Sequence, residues 1–261
     1  AAAAALVERL AGRALACTAN KSERQAKIAA EKGAWEQELT EWTHERDPYS
    51  LEVARGSKLM HPRQMLRELE KAMPRHAMVS TDIGNICSIS NSYLRFDEPR
   101  SMFAAMSFGN CGYAFPVACG AKIAAPDRPM IAYVGDGAWG ISLNELLTCA
   151  REKIGVTVVV FNNGQWGAEK KNHVDFYSQR FQAVDLDSPS WAAVAKAFGC
   201  EGVTVDRLSD VGPVLRASVQ AQAEGKCTVI EMMVTQELGD PFRRDALSKP
   251  VRLLNKYKAY S

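Results

Sequence analysis

Met130-Ile131-Ala132-Tyr133-Val134-Gly135-Asp136-Gly137-Ala138-Trp139-Gly140 reads as a buried strand that runs into a glycine turn and then a helix. An unbroken apolar run before the turn fits a strand covered on both faces, as in a parallel sheet. Outward from it, similar short runs recur at residues 77–81, 101–104, 156–161, 201–205 and 227–234, with helical stretches between them. Pro62 opens another helix, which ends near Met73 and Pro74. The alternation predicts an α/β domain: a doubly wound, mainly six-stranded parallel sheet with helices on both faces. Ligands of such sheets bind at the carboxyl ends of the strands, which places 82–85, 135–140 and 162–167 along one edge.

The flanks read differently. Residues 1–45 are helical in pattern, first rich in alanine and then strongly charged, with Trp35, Leu39 and Trp42 spaced to share a face. A polar stretch with Pro48 and Gly56 follows. The expected organisation is the end of a preceding domain and a helical connector over 1–60, the α/β domain over 61–234, and a tail over 235–261 able to cover the site. Composition is that of an ordinary globular protein: 47% hydrophobic, 24% charged, net charge +2 over 261 residues. Such a balance offers no field to gather nucleic acid or a membrane surface, and no apolar run approaches the ~18 residues of a membrane span. Partners are expected to be small molecules or other subunits. Seven cysteines without a C-x-x-C pair read as reduced thiols and a cytoplasmic location.

Formally, residues 135–140 match the G-x-G-x-x-G of dinucleotide sites. That reading wants an acidic residue at the end of the next strand to bind a ribose hydroxyl, and the chain delivers Asn162 and Asn163 instead. It would also aim the Asp136 carboxylate at a pyrophosphate, a repulsion that costs kilocalories unless a cation lies between. With a divalent metal the residues agree. Asp136 supplies a hard oxygen, Asn163 a neutral one, and the chain just after it a backbone carbonyl, that of Gln165; Mg2+ suits such a set when phosphate oxygens and water complete it. Gly135 and Gly137 let the backbone approach the phosphates, and the helix that follows offers N–H groups at Ala138 and Trp139.

Gly135-Asp136-Gly137, twenty-four intervening residues and then Asn162-Asn163 resembles the thiamine-diphosphate signature of the superfamily that holds decarboxylases, acetolactate synthases and pyruvate oxidases. The resemblance implies thiamine diphosphate and Mg2+ as cofactors. Asp82-Ile83-Gly84-Asn85 is similar to the family's first diphosphate loop, with Gly84 and Asn85 at the phosphate and Ile86 where the family often has histidine. Residues 109–114 resemble the segment under the aminopyrimidine. There the Gly109 carbonyl would accept from the amino group, and Cys111 stands where a bulky aliphatic residue usually wedges the cofactor into shape.

Residues 165–177 and 237–247 resemble the sulfoacetaldehyde acetyltransferases within that superfamily, which convert sulfoacetaldehyde and phosphate into acetyl phosphate and sulfite. Other enzymes on the same cofactor, an acetolactate-type carboligase or a 2-oxo acid decarboxylase, and a non-catalytic cofactor-binding module are the alternatives. Two anions must be held in turn, and Lys170, Lys171, Arg243, Arg244 and Lys249 are the cationic candidates. Arg243 and Arg244 are expected to act at the site, since they follow a Gly-Asp-Pro turn and offer planar forks. Lys170 and Lys171 read rather as solvated surface charges. His173, in a polar loop by its neighbours, is a candidate proton carrier. The family's activating glutamate comes from a pyrimidine-binding domain across a subunit interface. Nothing in these residues resembles it, so that domain, in the same or another chain, is an implied partner in a homodimer or homotetramer.

Overall fold

A computed structural model describes residues 21–41, 57–91 and 93–236 of the chain. Contacts divide the chain into two units, residues 1–45 and 46–261. Of the first, the helix α1 (Lys21–Glu41) is described; residues 22–34 are exposed, and Lys27 pairs with Glu31 one turn on at 3.9 Å. The face expected from Trp35, Leu39 and Trp42 lies outside the described side chains, and Arg243, Arg244 and Lys249 lie outside the described residues.

The second unit runs α2 (Pro62–Ala72), β1 (Met78–Thr81), α3 (Asn85–Ser90), β2 (Met102–Ala104), α4 (Ala114–Ala124), β3 (Met130–Gly135) and α5 (Asp136–Ser142). It continues through α6 (Leu146–Glu152), β4 (Thr157–Asn162), α7 (Gly167–Phe176), α8 (Trp191–Ala197), β5 (Glu201–Val205), α9 (Leu208–Ala221) and β6 (Thr228–Met233). The six strands form one parallel sheet in the order β2-β1-β3-β4-β6-β5. Each lies within a residue of its expected bounds at either end.

Alternation along the strands builds two cores. Met130, Ala132 and Val134 of β3, with Val158 and Val160 of β4, face α4, α5, α6 and α8 through Phe115, Trp139, Leu146 and Trp191. Ile131, Tyr133, Val159 and Phe161 face the other way, onto Met65, Leu66 and Leu69 of α2 and Val211 and Leu215 of α9. Burying each such side chain contributes about 1.5–3 kcal/mol, so these layers hold the sheet and leave the loops to be chosen for chemistry.

The cysteines are less scattered in space than along the chain. Cys119 and Cys149 bring their sulfurs to 3.4 Å in the first core, which also takes in Cys227 and the half-buried Cys200; the described cysteines are free thiols. No described helix is long and apolar enough to cross a membrane.

Strand β1 crosses to β2 on one side, whereas β3 crosses to β4 on the other. The chain therefore parts at the carboxyl ends of β1 and β3, and a crevice opens there. Asp82 leaves β1 and Asp136 leaves β3 at that point.

Candidate functional site

Both aspartates are buried, at 0% and 2% exposure. Asp82 accepts from the Tyr113 and Ala114 N–H groups at 3.3 and 3.2 Å, and so ties the end of β1 to the start of α4 and to the 109–113 segment before it. Burial pushes its carboxyl above the ordinary value, against the pull of these donors. Asp136 accepts from Gly137 N–H at 2.9 Å and from Gly164 N–H at 2.7 Å, with the Asn163 and Gln165 N–H groups also turned toward it. Burial nonetheless raises its carboxyl to about 6. A buried carboxylate at the meeting of two strand ends, with amide groups around it, meets no counter-charge among the described residues.

Segment 184–186 lies antiparallel to 164–166. Trp166 N–H donates to the Val184 carbonyl at 2.7 Å, Leu186 N–H donates to the Gly164 carbonyl at 2.8 Å, and Gln165 stands opposite Asp185. In that pattern the peptide groups of Gln165 are not used by the pairing and face the other side, where its N–H meets Asp136. Lys170 holds this strap through Asp185 at 2.6 Å. The Gln165 side chain reaches the first residues of the tail, donating to the Gln236 carbonyl at 3.3 Å, while its Oε1 is buried without a partner. Asn163 is half-buried at the end of β4. Its neighbour Asn162 donates to Glu231 at 2.9 Å.

Glu231, 2% exposed, also accepts from Ser190, Trp191, Ala192 and Thr204 at 3.0–3.3 Å. Burial pushes this carboxyl up, yet its donors more than offset that and hold it below the ordinary value. It pins the end of β4, the start of α8 and β5 together. Sequence reading passed over Glu231, because a lone glutamate in an apolar strand shows no partners along the chain.

A cleft of about 450 Å³ opens between the loops after β1, β2 and β4, lined by Ile83, Gly84, Phe108, Gly109, Cys111 and Trp166 among others. Gly84 and Gly109 have φ of 109° and 77°, left-handed backbone that glycine adopts without strain. Next to Gly84 in the chain, Asn85 places its Nδ2 beside Gly167, where an added Cβ would come within 2.8 Å of it; that donor is buried without a partner. An orphaned amide donor on one side and a buried carboxylate with an orphaned acceptor on the other match a diphosphate bridged by a cation. Among the described residues no three His, Cys, Asp or Glu side chains gather to hold a metal by themselves. A single acidic ligand is what Mg2+ uses when phosphate oxygens supply the rest.

Several expected residues stand elsewhere than the sequence suggested. Lys170 and Lys171 are not solvated surface charges: they are 4% and 1% exposed, paired with Asp185 and Asp175 at 2.6 and 2.7 Å. His173 sits on α7 rather than in a loop, near the rings of Tyr177 and Phe181, and does not line the cleft. The Trp139 indole belongs to the core, 5.1 Å from the Phe115 ring, and Ala138 is buried, so their backbone N–H groups are what remains for a phosphate. Gly137 is glycine for a further reason, since a Cβ there would come within 2.8–2.9 Å of the Trp166 ring. Glu169, within the 165–177 stretch, lines the cleft from the first turn of α7. Its only signal was its place one helical turn beyond the metal loop.

Residues 82–232 match the family described as "Thiamine pyrophosphate enzyme, C-terminal TPP binding domain". The chain is 63% identical to the sulfoacetaldehyde acetyltransferase of Castellaniella defragrans over 100% of its own length and 45% of that protein's. It is 62% identical to the sulfoacetaldehyde acetyltransferase of Alcaligenes xylosoxydans xylosoxydans, over 99% of the chain and 44% of that protein. The chain thus spans less than half the length of these relatives. Among solved structures, the Rhodococcus jostii RHA1 thiamine diphosphate-dependent 4-hydroxybenzoylformate decarboxylase has the same fold, with a TM-score of 0.64 and 23% identity over 69% of this chain and 33% of that one.

Proposed function

Since the chain belongs to the thiamine pyrophosphate enzymes through their C-terminal cofactor-binding domain, we propose that it is the cofactor-holding part of a sulfoacetaldehyde acetyltransferase. The observation that carries this reading is the 63% identity over the whole chain to an enzyme of that name. Sulfoacetaldehyde and phosphate enter, and acetyl phosphate and sulfite leave.

In this reading Asp136, Asn163 and the Gln165 carbonyl hold Mg2+, and Asn85, Gly84 and the N–H groups of 137–139 receive the diphosphate. The Gly109 carbonyl takes the aminopyrimidine, with Cys111 beneath it as a small wedge. Thiamine diphosphate, once bound, would supply the electron sink for the pair left when the aldehyde carbon gives up its proton, the pair that drives sulfite out. Lys170 and Lys171 already face aspartates, so the sulfonate and the attacking phosphate are held by other cations. Arg243 and Arg244 are the candidates, on a tail whose first residues, Thr235 and Gln236, leave β6 beside Gln165. The activating glutamate comes from a pyrimidine-binding domain, and a homodimer or homotetramer brings it to the cleft.

The test uses the full-length enzyme with thiamine diphosphate, Mg2+, phosphate and sulfoacetaldehyde. Sulfite and acetyl phosphate are expected in equal amounts, with acetyl phosphate absent when phosphate is withheld. Release of carbon dioxide from a 2-oxo acid, with sulfoacetaldehyde left intact, would replace this reading with a decarboxylase.

A further inference from the structure

Four thiols distant along the chain meet on one side of the sheet. Cys119 of α4 and Cys149 of α6, thirty positions apart, bring their sulfurs to 3.4 Å. Cys227 makes side-chain hydrogen bonds to both Cys149 and Cys200, so the sulfurs run in a row from 119 through 149 and 227 to 200. Cys119, Cys149 and Cys227 are 8%, 0% and 4% exposed, whereas Cys200 is half-buried and donates to the Leu146 carbonyl at 3.5 Å. Cys200 and Cys227 stand directly before β5 and β6. They mark the amino ends of the strands, across the sheet from the cleft, and the proposed reaction makes no use of them.

A single buried cysteine fills a core as a small hydrophobe. A row of sulfurs in contact does more, because a thiolate can attack a neighbouring disulfide and pass the bond along. Entry to such a row requires a reachable thiol with a lowered pKa. Cys200 has both: the hydrogen bond from Cys227 holds its thiol below the ordinary value against burial, and Lys153 adds to that pull. Cys111, the thiol that lines the cleft, is the reverse case. Burial raises it to about 11, with the carboxylates of Asp82 and Glu169 adding to the rise, so near neutral pH it stays protonated and slow to react. At the far end of the row Cys119 and Cys149 need to close by only about 1.4 Å to bond, and both are shielded from soluble thiols.

From this arrangement we infer that the four thiols form an oxidation site for hydrogen peroxide, with Cys200 receiving the oxidant and the disulfide settling between Cys119 and Cys149. The Cys200 sulfur attacks one peroxide oxygen, the O–O bond breaks, and the other oxygen leaves as water with the proton of the thiol. Cys227 then displaces the hydroxyl of this sulfenic acid as water, which forms a Cys200–Cys227 disulfide. Cys149 attacks the Cys227 sulfur and frees Cys200; Cys119 attacks the Cys149 sulfur and frees Cys227. Each freed sulfur takes up the proton that its attacker gave away. One peroxide is thus reduced to two waters while two thiols are oxidised to one disulfide. The oxidant is consumed away from Cys111 and the cleft.

The experiment treats the full-length enzyme with a few equivalents of hydrogen peroxide, quenches it in acid, alkylates free thiols under denaturing conditions and maps the peptides by mass spectrometry. A linked Cys119–Cys149 pair is expected as the main product, removed by dithiothreitol, with Cys111 still open to alkylation. In Cys200→Ser that pair should form at least ~10-fold more slowly. In Cys119→Ala the bond should stop one step short and accumulate as Cys149–Cys227. Sulfinic acid on Cys200 with the other three thiols alkylated overturns the inference, as does a Cys119–Cys149 pair that forms as fast in Cys200→Ser as in the wild type. Should Cys200→Ser fail to fold, as read by circular dichroism, Cys119→Ala decides, and any product other than Cys149–Cys227 overturns the assignment.

Discussion

Asp136 stands out in the sequence because a carboxylate in a glycine turn after a buried strand would need a cation if a phosphate lay there, and the structure adds what no string of letters could: the side chain is buried and ringed by N–H groups from two strand ends. Replacing it or Asn163 by alanine is expected to abolish Mg2+-dependent thiamine diphosphate binding in calorimetry while leaving the far-UV circular dichroism intact, since the sheet packs beneath these side chains. Unchanged affinity in both variants would remove the metal bridge. The raised carboxyl carries a sign. In metal-free protein its folded-state value of about 6 lies above the ordinary 3.8, so ionisation erodes stability as pH rises between those values, and acidification restores it. Metal binding requires the ionised form. Metal-assisted cofactor affinity should therefore fall about tenfold between pH 7 and pH 5, measured in matched ionic strength. Less was readable for Lys170 and Lys171. Two adjacent lysines look like surface charge until the folded chain buries them, with Asp185 brought back by the strap and Asp175 one helical turn on along α7.

At the level of elements, strands β1 to β6 could be placed closely from the sequence because strands buried on both faces spell out continuous apolar runs. The strap at 184–186 could not, for its pairing to 164–166 is a short antiparallel contact with no periodicity to betray it. That strap pairs with the loop that carries Gln165, and the Lys170–Asp185 pair at 2.6 Å fastens it. Asp185→Asn removes the carboxylate from a lysine only 4% exposed. The variant is expected to lose about tenfold in Mg2+-assisted cofactor affinity, roughly 1.4 kcal/mol, with no ligand altered. Adding Lys170→Met should restore part of that loss by removing the charge that Asp185 balanced; a double variant weaker than the single one would show that the pair does not act through the strap. Glu231 serves the neighbouring elements in the same manner, joining β4 and β5 to the start of α8 through side chains and backbone that lie far apart along the chain.

For the whole molecule, the proposed function makes the cleft one half of an active site. Its walls bring together the loops after β1, β2 and β4, whereas the activating glutamate of the proposed reaction belongs to a pyrimidine-binding domain. Residues 1–261 expressed alone are accordingly expected to release no sulfite from sulfoacetaldehyde, even with thiamine diphosphate and Mg2+ in excess; release by this polypeptide free of any partner would mean that the missing group lies within it. The account stands or falls on where the metal sits. Manganese can replace magnesium and be located by its anomalous scattering in crystals of the full-length enzyme grown with thiamine diphosphate. One peak within about 2.3 Å of an Asp136 carboxylate oxygen, the Asn163 side-chain oxygen and the Gln165 carbonyl is the predicted result. A peak that leaves Asp136 uncoordinated, or cofactor density at the crevice with no metal beside it, would contradict it.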